Sequence, residues 1–146
     1  MNVADLLRIR HAERKVSKMI ESIEGLKFLE FTTISAFDRN ALWEKLSSTS
    51  LSDNQRLNEP YNEREAAAWV ADVSRTIDGG PDWLLSLGGF AQLGWARVRA
   101  TVATTRWLPS LLARLDTKDA ILIDERRGKA YGFSDEEDAL IFARLT

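Results

Sequence analysis

The chain has 146 residues, enough for one compact domain spanning 1–146 with a core of its own. A composition of 45% hydrophobic and 29% charged residues excludes wholesale disorder, and the lack of cysteine excludes disulfides, thiol nucleophiles, zinc–thiolate sites and iron–sulfur clusters. A single histidine leaves no material for a His-rich metal centre, and a net charge of −2 argues against general affinity for nucleic acid.

Asp5 and Arg8 interrupt any apolar signal region, and the longest apolar stretch, 66–71, is far short of the roughly 20 residues that span a bilayer. The expectation is a cytoplasmic protein with no membrane partner. In chain order, residues 5–23 read as a helix with Ile9, Ala12, Val16, Met19, Ile20 and Ile23 on one stripe and His11, Arg14 and Lys18 opposite. Val3 and Leu7 lie nearer the polar face, and Gly25 is a natural stop. Residues 26–35 read as a strand. Asp38 caps a short helix through Leu46, with Phe37 and Leu42 placed for a hydrophobic staple. Residues 47–60 form a loop long enough to notice.

Asn62, with Glu65 three residues on, starts a clear helix whose Ala66, Trp69, Val70, Val73 and Ile77 share a face, and Gly79, Gly80 and Pro81 end it. Trp83 to Leu85 reads as a short apolar turn broken by Gly88 and Gly89. Residues 94–106 suit a strand by alternation and a helix by alanine content, and periodicity does not decide between them. Pro109 fits the first turn of a short helix through Leu115. Residues 120–124 and 129–133 form a hairpin turned at Arg126, Arg127 and Gly128. The stretch Ser134-Asp135-Glu136-Glu137 has the form of a capping box, which predicts a final helix over 135–144; a third strand over 140–145 is the alternative. The predicted class is α+β: a mostly helical single domain with a small antiparallel sheet including the 120–133 hairpin.

No catalytic, metal or phosphate motif emerges, and no cofactor is implied. His11 sits among Arg8, Arg10, Arg14 and Lys15 on a solvated face. Gly79, Gly80, Gly88 and Gly89 form neither a dinucleotide fingerprint nor a P-loop. Arg97, Arg99, Arg106 and Arg114, with Trp95 and Trp107, read as arginines stacked on tryptophan within the domain rather than as a nucleic-acid track. The basic segment 81–115 directly precedes an acidic one, 116–138, so the two either face each other or form a polarised surface. The acids at 135–138 lack the spacing of a calcium loop and suit a helix start or a partner-binding patch.

The stretch 119–138, running from Asp119 through Arg126-Arg127-Gly128 to Asp138, resembles the tail of bacterial immunity proteins that neutralise toxins of contact-dependent inhibition and related polymorphic-toxin systems. The resemblance covers 119–146. It implies a non-enzymatic protein that binds one cognate toxin domain, often a nuclease, and blocks its basic groove with an acidic surface. On that reading Asp124, Glu125, Asp135, Glu136 and Asp138 supply the charge and Tyr131 the aromatic anchor. A small structural or adaptor protein, using Val3 and Leu7, and a small-molecule binder with a pocket lined by Trp and carboxylates are the alternatives.

Overall fold

The computed structural model of the chain describes residues 2–33, 36–48, 55–90 and 92–146. Its elements are α1 (Val3–Glu21), β1 (Leu26–Thr32), α2 (Arg39–Ser47), β2 (Gln55–Asn58), α3 (Glu63–Ser74), β3 (Asp82–Leu87), β4 (Trp95–Ala100), α4 (Thr104–Ala113), β5 (Ala120–Asp124), β6 (Lys129–Asp135) and β7 (Ala139–Arg144). The strands form one seven-stranded sheet in the order β1-β4-β3-β5-β6-β7-β2, with every pair antiparallel. This overturns the expectation of a mostly helical domain with a small sheet: strand and helix hold 30% and 37% of the described residues.

The helix starts follow from their caps. Asn2 Oδ1 accepts the Asp5 N–H at 2.8 Å, Asp38 Oδ1 the Ala41 N–H at 3.2 Å, and Asn62 Oδ1 the Glu65 N–H at 2.8 Å. In α4 no side chain caps the start, and Pro109 lies inside the helix rather than in its first turn. Burial of Trp107, Leu108, Leu111 and Leu112 offsets the backbone bond that Pro109 cannot make. Residues 94–106 resolve into strand β4 followed by the first turn of α4. The apolar run after Asp82 is not a turn but β3, buried from Trp83 through Leu87.

Residues 135–144 are not a helix. Asp135 ends β6, and Ala139–Arg144 is a strand, as the alternative reading had it, paired with β6 on one side and β2 on the other. The Ser134 hydroxyl donates to Glu136 rather than capping a helix, and the Asp135 N–H donates to Asp119 Oδ1 at 2.7 Å. The expected loop 47–60 contains β2, while its residues 49–54 lie outside the described residues, as do residues 34 and 35 of the expected strand 26–35.

Both faces of the sheet are covered. Against one face α1, α3 and α4 pack Val16, Ile20, Val70, Val73, Trp107 and Leu111 onto Trp83, Leu85, Val98, Leu122, Phe133 and Phe142. On the other, α2 lays Leu42 and Leu46 over Leu84, Trp95, Ile121, Ile123, Ala130 and Ala143. Phe37 joins that second cluster with Leu42, as its staple position suggested. The same face continues onto β4 and β1 as charge. Arg97 bonds Glu30 at 2.8 Å and Glu125 at 3.0 Å, and Asp82 takes Arg99 at 3.2 Å and Arg126 at 2.7 Å. So β4 lends its arginines to carboxylates and not to tryptophan: among the described residues the cation–π contacts are Lys15 on Phe90 and Arg144 on Phe142. The basic and acidic segments do face each other, through Arg97 and Glu125. At the sheet's outer edges lie β1, whose Phe28 N–H is taken by Glu21 Oε1 at 2.8 Å, and β2, four residues long.

Gly132 of β6 sets how closely α2 seats. A Cβ there would lie 2.8 Å from Leu46 Cδ1 and 3.1 Å from Leu145 Cδ1. Gly132→Ala is expected to cost about 1–3 kcal/mol by overpacking, read as a lower denaturation midpoint with an unchanged slope. An unchanged midpoint would mean that α2 gives way freely.

Candidate functional site

The residues expected to form one acidic contact surface fall at the two ends of β6. Asp124 and Glu125 lie at the β5–β6 turn, and Asp135, Glu136 and Asp138 at the β6–β7 turn. A seven-residue strand separates these ends by about 20 Å. Asp124 is fully buried and accepts backbone N–H groups of Gly80 (3.1 Å), Arg126 (3.1 Å) and Arg127 (3.2 Å). Glu125 is engaged by Arg97. The Tyr131 ring is in the core, with its centroid 6.1 Å from that of Phe142 and 6.4 Å from that of Trp83. At the other end Asp135 is half-buried, its Oδ2 accepting the Lys118 N–H at 3.0 Å, whereas Glu136, Glu137 and Asp138 are exposed.

The second end gathers more acid than its own turn supplies. The Glu59 N–H donates to the Asp138 carbonyl at 2.9 Å, which pins the segment 59–62 beside the β6–β7 turn. This sets the segment of Glu59 and Glu63, both exposed, beside the turn that carries Glu136, Glu137 and Asp138, and half-buried Tyr61 feels the charge of Glu59, Glu63 and Asp135. Burial raises the Tyr61 pKa above its ordinary 10.0, and the negative charge of Asp135, Glu59 and Glu63 raises it further. The nearby cation Arg56 is tied to Asn58 (3.1 Å) and reaches Asp138 at 3.8 Å. Glu59, Tyr61 and Glu63 were missed from the sequence because they lie some seventy residues from the acids they join. The signal was local: an aromatic flanked by carboxylates immediately before the Asn62 cap.

The chemistry this surface offers includes recognition of a cationic partner. An exposed set of carboxylates attracts a cationic surface, and a half-buried tyrosine offers an apolar ring with a hydroxyl at its tip. Among the described residues no three His, Asp or Glu side chains converge as a metal site, and His11 stands exposed on α1. No helix among the described residues is long and apolar enough to cross a membrane.

Two measurements follow. Asp124→Ala strands three N–H groups and is expected to cost about 2–5 kcal/mol in chemical denaturation, with Asp124→Asn losing less because it keeps one acceptor oxygen. The chain's two tyrosines, Tyr61 and Tyr131, both have raised pKa values, Tyr131 first through burial. Each favours its neutral form in the folded state, so their contribution to stability is intact below 10.0 and is lost as pH rises through the folded values. Absorbance titration is expected to show no tyrosinate component at the ordinary midpoint until the chain is unfolded.

Comparison of the chain with protein-family models, with curated proteins and with solved structures gives no match.

Proposed function

We propose that the chain is a protein-binding protein of the immunity type, which neutralises a cognate toxin domain by docking an acidic face onto the toxin's basic groove. The observation that carries this reading is the set of carboxylates Glu59, Glu63 and Asp135 acting on Tyr61, beside the acidic β6–β7 turn to which the bond from the Glu59 N–H to the Asp138 carbonyl ties them. A nuclease groove is basic because its substrate is anionic. An acidic face therefore speeds encounter by steering and competes with nucleic acid for the same cations. Tyr61, and not Tyr131, supplies the aromatic anchor, because Tyr131 is 96% withdrawn from solvent while Tyr61 stands at the surface. Glu136 and Asp138 keep their place in the contact. Asp124 and Glu125 act through the fold.

A second reading, an adaptor that docks an apolar partner, is favoured by one feature. Val3, Leu6 and Leu7 stand 73%, 41% and 59% exposed on the first two turns of α1.

The test is co-purification of the tagged chain from its native cytosol, washed at low and then high salt. The expected result is a retained toxin domain that is released by salt and by Glu136→Lys/Asp138→Lys, and that loses about tenfold or more in affinity with Tyr61→Ala. Retention of a partner that survives these changes but is lost with Leu7→Ser would replace the immunity reading with the adaptor one.

A further inference from the structure

At the end of β6 opposite Tyr61, the α3–β3 loop, the β5–β6 turn and the end of β7 border an open cleft of about 360 Å³. Thr76, Asp78, Arg127, Lys129, Tyr131 and Arg144 line it. Tyr131 is 4% exposed, and its ring is held against Phe142 and Trp83 inside the core, so its hydroxyl is the end that reaches the cavity wall. That hydroxyl has no hydrogen-bond partner among the described residues. The ring is buried but the hydroxyl opens onto the cleft, so it is free to bond a ligand atom there.

The cations around it are held in place. Arg127 Nη1 donates to the Asp78 carbonyl at 2.9 Å and pairs with Asp78 Oδ2 at 3.1 Å, while its Nε lies 3.8 Å from Asp124 Oδ2. Nη2 has no partner among the described residues. Arg144 Nη2 donates to the Thr76 carbonyl at 3.2 Å, and its guanidinium lies 5.5 Å from the Phe142 ring centroid. Lys129 is exposed and pairs with no carboxylate among the described residues. Against these three cations stand Asp78, 93% exposed on the rim, and Asp124, buried behind Arg127.

Neutralising the carbonyl end of α3 would account for the two arginines. It does not account for Lys129 or for the unpaired hydroxyl. We propose that this cavity binds the phosphoryl group of a small anionic molecule. Three fixed or reachable cations and a hydroxyl donor, arriving from different elements, match an oxyanion with several acceptor oxygens better than a planar carboxylate with two. Burial keeps the Tyr131 hydroxyl protonated well past neutral pH, so it acts as a donor. The cavity is larger than inorganic phosphate needs. Thr76, whose hydroxyl already donates to the Val73 carbonyl at 2.7 Å, offers an acceptor to a hydroxyl or amine on the remainder of the ligand.

This site is independent of the acidic face, and its test does not require a toxin. The full chain is titrated by calorimetry and thermal unfolding with inorganic phosphate, with glycerol phosphate and with succinate, each against sodium chloride of equal ionic strength. The expected result is binding of both phosphates, with a melting temperature raised by about 3 °C or more at ten times Kd, and weaker binding of succinate. Tyr131→Phe keeps the packed ring and Lys129→Ala alters an exposed side chain. Each is expected to weaken phosphate about tenfold while leaving the unliganded melting temperature within about 2 °C of the parent. Phosphate that acts no differently from chloride, succinate that binds as tightly as phosphate, or affinities unchanged in both variants would each overturn the proposal.

Discussion

A sheet of seven strands through one small chain must be covered on both faces, and most of the structure answers that demand. Three helices cover one face. Among the described residues the other has α2, nine residues long, which covers its share because Gly132 lets Leu46 sit close to the strand. Where α2 ends, the face turns from apolar to ionic, with Arg97 between Glu30 and Glu125 and with Asp82 between Arg99 and Arg126. The magnitudes divide the work. A fully buried Leu or Ile contributes about 1.5–3 kcal/mol, and a partly exposed ion pair about 0–1 kcal/mol. The two apolar clusters hold the fold together, and the charged pairs give β4 and β1 much of their water-facing surface, with Leu29 left 40% exposed on β1.

The same constraint explains what could be read from the sequence. The three helices with polar caps announce themselves through Asn62, Asp38 and a stripe of Ile9, Val16 and Ile20, because a half-buried helix keeps a 3.6-residue rhythm. The 120–133 hairpin shows because Gly128, at φ +68°, marks its turn. Strands buried on both faces carry no alternation. Trp83 to Leu87 and Ala139 to Ala143 are therefore nearly continuous apolar runs, whose type periodicity cannot reveal. In the second case four acids after Ser134 imitate a helix start. The sheet was underestimated because its central strands leave nothing polar to count.

For the candidate sites, sequence proximity misled in one direction and distance hid the rest. Asp124 and Asp138 are fourteen residues apart, yet the hairpin sends them to opposite ends. Glu59 and Asp138 are joined by one backbone bond that no local pattern foretells. The outcome is a chain with carboxylates around Tyr61 at one end of β6 and cations around Tyr131 at the other. Asp124 serves the cationic end from within, since it fixes both the backbone of the β5–β6 turn and the Nε side of Arg127.

The two outer strands govern how the folded protein behaves when crowded. A neighbouring chain that tried to extend the sheet at β1 would meet the Glu21 carboxylate where it needs the Phe28 amide, and at β2 it would find four residues of ladder among the described residues. For a neighbouring copy, edge pairing at β1 would require the Glu21 carboxylate to leave the Phe28 amide, so chains that have not yet placed α1 beside β1 present that edge more openly than folded ones.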